Sequence, residues 1–326
     1  MKILYISPNP SDALSFYRGA QPLRRLRQHH QVEYVQTDSL NWSTIVNCDL
    51  VFFQRPYTQE HKAVIDLCRK WKVPFVVDFD DWLYELSPDN PAFHTYNNNK
   101  EYYHHAAESA AAVMVATQDM ADLYLDQHGI ECEVVPNAYD DELLTPRPIN
   151  DHFKIVLWRG SNSHTQDLLS VRQGYLNLIK KHTDWQFVFI NVPPWWLGEN
   201  FENVKTVAPR STIDYMAMIQ QMKPAIMTHP LMDCNFNRAK SMCSWIEASH
   251  AGAAFVGPNF KEYQREGIET YEPGDSKSFF DSVDGLITEP TRILENAAKG
   301  QAAITGSLSL REVNKKRFEI FKQFSS

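Results

Sequence analysis

Short runs of β-branched and aromatic residues alternate along the chain with longer segments whose apolar residues recur every three or four positions. In the first half, residues 2–6, 32–36, 49–54, 75–79, 112–116 and 132–136 read as strands. Residues 20–29, 59–70, 99–110 and 118–128 carry helical spacing between them. The strand runs are continuously apolar, which is the pattern of a parallel sheet covered on both faces. A Rossmann-like, doubly wound α/β domain is the expected result.

The alternation pauses at residues 144–150, where two prolines sit in a polar stretch suited to a linker. It resumes with strand runs at 153–158, 185–191, 204–207, 225–228 and 253–256, separated by helical patterns at 166–180, 211–221 and 241–250. The last segment, 310–324, is a charged amphipathic helix with Phe318, Phe321 and Phe324. The reading is therefore two α/β domains, 1–147 and 148–309, followed by a terminal helix over 310–326. Tandem sheets of this kind bring their strand C-termini to a shared cleft, the usual ligand position in open α/β folds.

Composition changes this picture little, whereas the charge distribution changes it more. The 326 residues are 43% hydrophobic and 22% charged, as in an ordinary globular protein. The opening apolar run breaks at Pro8 and is too short for a signal peptide, and no stretch reaches the roughly 20 apolar residues of a membrane span. The five cysteines are widely spaced, which points to reduced thiols in a cytoplasmic protein and away from zinc. Net charge is −8; residues 1–150 hold 12 Lys and Arg against 21 Asp and Glu, a balance of −9, leaving +1 for the remainder. A phosphate-bearing ligand therefore suits the second half, and a nucleic-acid partner is disfavoured.

Candidate chemistry concentrates in that second half. The run 225–228 leads into Phe236-Asn237-Arg238-Ala239-Lys240-Ser241, and a helix is expected from about Ser241 to a stop at Gly252. A helix N-terminus offers free N–H groups and a positive dipole end to a phosphate. Lys240 and Arg238 add charge there, and Glu247, further along the same helix, is placed to accept ribose hydroxyls. The FN-x-x-KS loop, a helix containing Glu-Ala and the following Gly-Ala-Ala-Phe-Val-Gly resemble the donor-site region of the family 4-like group of glycosyltransferases. Those enzymes commonly carry two glutamates eight residues apart. Glu247 matches the second, and Ala239 stands at the position of the first.

Further pieces resemble the same family in the same order. Gly160-Ser161, with His164 and Asp167, follows the first strand of the second domain; the resemblance implies a diphosphate contact there, with Arg159 as the nearest basic residue. Asp78, Asp80 and Asp81 end a strand of the first domain, where the resemblance implies an acceptor-facing loop. Asp80 or Asp81 would orient an acceptor hydroxyl, or act as general base in an inverting enzyme. The first loop, residues 7–19, lacks GxGxxG, which argues against a dinucleotide site; its Ser-x-Tyr-Arg-Gly places Arg18 for a phosphate. Asn137, in Val-Pro-Asn, reads as structural. The Trp195–Trp196 pair reads as core filling before it reads as a stacking platform.

Together the resemblance implies a GT-B fold, two Rossmann-like domains facing a cleft with the terminal helix crossing back. It implies a metal-independent, retaining glycosyltransferase with a nucleotide-sugar as co-substrate and no cofactor. Lys240, Arg238, Asp80 and Asp81 are the candidate catalytic residues. Arg18, Arg159, Gly160, Ser161, His164, Asn237, Ser241 and Glu247 are the candidate donor contacts. A phage-type glycosyltransferase acting on modified DNA bases, a GT-B sugar-nucleotide epimerase and a two-domain ligand-binding protein are the alternatives. The acceptor, glycan or modified DNA, and the oligomeric state are not specified by these residues.

Overall fold

A computed structural model describes residues 1–7, 13–28, 30–35, 40 and 42–324. Two six-stranded sheets, each parallel throughout, form the frame. The first holds β1 (Lys2–Ile6), β2 (Gln31–Val35), β3 (Leu50–Gln54), β4 (Phe75–Phe79), β5 (Ala112–Val115) and β6 (Glu133–Val134) in the order β2-β1-β3-β4-β5-β6. The second holds β7 (Phe153–Arg159), β8 (Gln186–Ile190), β9 (Val204–Val207), β10 (Pro224–Thr228), β11 (Ala254–Pro258) and β12 (Ile268–Tyr271) in the order β12-β11-β10-β7-β8-β9.

Burial explains the order. Every residue of β3, β4, β10 and β11 is buried, as central strands covered by helices on both faces require. The edge strand β9 shows only partly buried and exposed positions. In each sheet the chain leaves its first strand, builds one flank, and returns to the other side of that strand. The switch falls between β1 and β3 in the first sheet and between β7 and β10 in the second. Ligands bind outside the strand ends at such points, because neighbouring loops diverge there and leave a crevice.

The terminal helix Leu310–Lys322 packs Leu310, Val313, Ile320 and Phe321 against Ile3, Tyr5, Leu50 and Phe52 of the first domain. Phe321 meets Phe52 with ring centroids 5.2 Å apart, and Asn314 donates to the Pro22 carbonyl at 2.9 Å. The chain thus begins and ends on the same domain. Among the described residues no helix is long and apolar enough to cross a membrane.

Most predicted elements fall within a few residues of their positions, and short helices Trp42–Val46 and Phe93–Asn98 are additional. The helix expected over 166–180 is two pieces, Thr165–Ser170 and Arg172–Lys181, broken at Val171. The second piece lies so close to helix Ser276–Thr288 that a Cβ on Gly174 would meet the Ser276 carbonyl at 2.5 Å. Helices Ser276–Thr288 and Pro290–Thr305, and strand β12, were not anticipated. Gly252 stops helix Cys243–Ala251 with φ +69°, a left-handed conformation that glycine adopts without penalty.

Candidate active site in the interdomain cleft

Loops from both switch points meet in one cleft. Its inner part is a cavity of about 290 Å³ whose lining includes Tyr17, Arg18, Arg55, Asp80, Asp81, Arg159, His164, Lys240 and Ser241. An outer cavity of about 430 Å³ shares Arg55, Asp81 and Lys240 and adds Ser161, Tyr96 and Phe236.

On the first-domain side, three aspartates at and just beyond β4 are each met by arginine. Arg18 lies fully buried and clasps Asp78 through Nε (2.9 Å) and NH2 (2.7 Å). Its NH1 donates to the Val135 carbonyl and, at 3.2 Å, to Asn137 Oδ1. Arg55, directly after β3, donates from Nε to Asp80 at 2.9 Å and from NH2 to Asp81 at 2.8 Å. The Arg55 backbone has φ +46°, a conformation rare outside glycine and concentrated at functional sites. Burial pushes the Asp80 carboxyl up to about 6, with Arg55 opposing and the Asp81 charge adding to it. Burial also acts on Asp81, but Lys240 and Arg55 outweigh it and bring that carboxyl down to about 2.

On the second-domain side, Arg159 at the end of β7 binds Glu247 in fork geometry, Nε to Oε2 at 2.6 Å and NH2 to Oε1 at 2.5 Å. Tyr17 OH donates to Oε1 at 3.2 Å and Tyr215 OH to Oε2 at 3.1 Å. Burial first and the Glu247 charge second raise both phenols far above their ordinary range, so each keeps its proton and is the donor. Glu247 is 3% exposed and does not line the cavity, whereas Tyr17 and Arg159 do.

Lys240 spans the cleft: its Nζ lies 3.5 Å from Asp81 Oδ1 and 4.2 Å from the centre of the Phe236 ring. Ser241 Oγ accepts from Asn137 across the interface at 2.7 Å, and Thr117 Oγ1 donates to the Ala239 carbonyl at 2.8 Å. Ser241, Cys243 and Ser244 bring the N-terminus of helix Cys243–Ala251 to the cavity wall. Asp167 gathers His164 Nδ1 (2.9 Å), Met232 N (2.8 Å) and Asn237 Nδ2 (2.9 Å), tying the loops after β7 and β10 together. Burial lowers the pKa values of His164 and His229, so both imidazoles are neutral near pH 7. Gly160 has no room for a side chain, since a Cβ would lie 2.5 Å from the Trp158 ring. Ser161 shares a 2.5 Å hydrogen bond with Ser163 at the exposed rim.

The cleft therefore gathers Arg18, Asp80, Asp81, Arg159, His164, Lys240 and Ser241, with Ser161 at the outer cavity. Asn237 and Glu247 sit behind it. Arg238 stands apart: its side chain is 54% exposed and paired with Asp233 through Nε (2.5 Å) and NH2 (2.8 Å). Trp196 is buried in the second core, while Trp195 is exposed. The residues that the motif reading passed over are Arg55, Tyr17 and Tyr215. Gln54-Arg55-Pro56, an arginine at the end of an apolar strand and fixed by proline, was the available signal for the first. Tyr17 lay inside the quoted Ser-x-Tyr-Arg-Gly.

No family model matches the chain, and no curated protein matches it in sequence. In fold it is similar to a sucrose-phosphate synthase from Thermosynechococcus elongatus, with TM-score 0.73 and 11% identity over 99% of each chain. HepE from Anabaena, solved with UDP-glucose, aligns at TM-score 0.70 and 17% identity over 99% of this chain and 100% of that one. An alpha-glucosyltransferase solved with UDP-glucose and DNA containing an abasic site aligns at 0.68 and 11% over 98% of both. The two facing six-stranded parallel sheets with the helix crossing back are the GT-B fold.

Proposed function

We propose that the protein is a glycosyltransferase that binds a nucleoside-diphosphate sugar in the cleft and transfers the sugar to an acceptor hydroxyl. The observation that carries this reading is the meeting of Arg159 and Lys240, from the second domain, with Asp80 and Asp81, from the first, around one cavity. Cations at the second switch point suit the diphosphate, and the helix N-terminus at Ser241–Ser244 adds N–H donors. As the bond to the sugar breaks, negative charge grows on the diphosphate. Lys240, mobile on its stem yet held near Asp81 and Phe236, is the group positioned to stabilise it. Arg159, fixed by Glu247, supplies a second charge without reorganisation.

In this reading no metal is required, because the two side chains supply the positive charge. The departing phosphate takes the acceptor proton on the face it leaves, so configuration at the anomeric carbon is retained. Asp80 orients the acceptor hydroxyl. The balance of −9 over residues 1–150 favours an uncharged acceptor over nucleic acid. All five cysteines are free, in keeping with a cytoplasmic location.

A thermal-shift screen of UDP-, GDP-, ADP- and CDP-sugars tests the reading, and the solved neighbours with bound UDP-glucose make UDP-sugars the first choice. At least one donor should raise the melting temperature, and its nucleoside diphosphate should be released on incubation. If no donor shifts the melt and none is cleaved, the reading fails.

A further inference from the structure

Arg55 enters the cleft by a backbone route that its own sequence opposes. Strands β3 and β4 pair in register as far as Gln54 and Asp78, and the Arg55 N–H extends that ladder by donating to the Asp78 carbonyl at 2.8 Å. The sheet thus sets Arg55 beside the loop after β4 that carries Asp80 and Asp81. Its φ of +46° is rare for a residue with a side chain. Pro56 narrows the choice further, since a proline drives the residue before it toward extended conformations. A backbone of this kind persists only where its surroundings over-determine it, and such residues cluster at functional sites.

The guanidinium shows what holds it there. Nε donates to Asp80 Oδ1 at 2.9 Å, NH2 to the same oxygen and to Asp81 Oδ2 at 2.8 Å, and NH1 to the Tyr96 hydroxyl at 3.0 Å. Asp81 Oδ1 faces Lys240, so both oxygens of that carboxylate are engaged. Asp80 differs, because Arg55 grips only Oδ1, and Oδ2 meets no donor among the described residues. Arg18, by contrast, takes both oxygens of Asp78. A carboxylate held by one oxygen has its orientation fixed and keeps the other oxygen for a further donor. Asp80 borders the inner cavity, and its side chain is 13% exposed.

We propose that Arg55 is a positioning residue that divides the work of two adjacent carboxylates, tying Asp81 into the ion pair with Lys240 and presenting Asp80 by one oxygen to the acceptor hydroxyl. This rests on the role given to Asp80 above. The charged groups that act on Asp80 are Arg55, Asp81 and Asp78, with Lys240 paired to Asp81, Arg18 to Asp78, and the Tyr96 phenol bonded to Arg55. Arg55 is the cation in contact with Asp80, and it opposes both burial and the two neighbouring aspartates, which push that carboxyl upward.

The test follows release of UDP from UDP-glucose, with water as acceptor, from about pH 5 to about pH 9. It compares the wild type with Arg55→Ala and Arg55→Lys, each checked for folding by thermal melting. Arg55→Ala should move the acid limb of turnover upward by about one pH unit or more, the scale of removing an opposite charge from a carboxylate. Turnover at pH 7 should fall about tenfold with it. Arg55→Lys keeps the charge without the fork, so the limb should stay within about half a unit while turnover falls about tenfold. A residue that merely braced the loop would lower turnover at every pH in both variants and leave both limbs in place. An unmoved limb in folded Arg55→Ala, or wild-type turnover in Arg55→Lys, would overturn the inference while glycosyl transfer by the wild type stands. If Arg55→Ala does not fold, Arg55→Lys decides alone. Failure of the wild type to release nucleoside diphosphate from UDP-, GDP-, ADP- or CDP-glucose would instead remove the glycosyltransferase reading, and this inference with it.

Discussion

Two arginine–carboxylate forks flank the cleft with the same bidentate chemistry and opposite exposure. Arg18 and Asp78, in the first domain, are both 0% exposed, and Arg18 spends its remaining NH1 on Val135 and Asn137. The side chains of Arg159 and Glu247, in the second, are 28% and 4% exposed, so the carboxylate is sealed while part of the guanidinium stays open, although both arginines border the cavity. The contrast separates frame from tool. In the first pair the donors of the fork and its flank hold β4, the helical turn Phe16–Ala20 and the segment after β6 together. In the second, the protein holds one edge of the arginine rigid and leaves the rest of the group at the cavity wall. Sequence motifs treat Arg18 and Arg159 alike, as cations near a phosphate; exposure and partner count divide them.

The largest effect should follow from breaking the frame. Arg18→Ala strands Asp78 in the core, and loss of one partner from a buried pair costs about 3–5 kcal/mol. Urea denaturation should show a drop of that size or insoluble protein; a change below about 1 kcal/mol would mean that the pair is not structural. Next comes Lys240→Ala, which under the proposed mechanism removes a charge contact from the transition state and should reduce donor turnover about 10²-fold with little change in melting temperature. Steady-state kinetics on the best donor of the screen would detect this, and unchanged turnover would take Lys240 out of the mechanism.

A smaller effect is expected from pH. With the Asp80 carboxyl pushed up to about 6 by burial, the ionised form is lost as the pH falls, so under the proposed mechanism turnover should fall about tenfold from pH 7 to pH 5. Asp80→Asn should abolish that acid limb, and a limb surviving in the variant would assign it to another group. For stability the sign reverses. A raised folded-state value means the protonated carboxyl favours the fold, a contribution present below the ordinary aspartate range and lost as the pH rises through about 6. The smallest effect is assigned to Arg238→Ala. Its exposed pair with Asp233 belongs to a class worth about 0–1 kcal/mol, and turnover should stay within twofold.

Much of this architecture was legible in the chain. Buried parallel strands are apolar over most of their length, so β1, β4 and the two-domain division follow from local pattern. What escaped was either too polar or too distant. Strand β12, with the sequence Ile-Glu-Thr-Tyr, lies at a sheet edge and carries one buried residue, so it has no apolar run to detect. The charged cleft residues were recognisable as types, but their partners were not. Glu247 meets Arg159, Tyr215 and Tyr17 from 88, 32 and 230 residues away, and no local pattern encodes such contacts. Arg238 shows the converse, since it lies within the most specific motif, yet its short-range partner Asp233 turns it outward.

The division between frame and tool is tested most directly by titrating a nucleoside diphosphate into the wild-type protein and Arg159→Ala. Binding to the wild type should weaken by about tenfold or more in the variant, the scale of losing a charge-assisted contact to phosphate. Equal affinity in the two proteins would contradict this division, because the partly exposed guanidinium would then be as much part of the frame as Arg18.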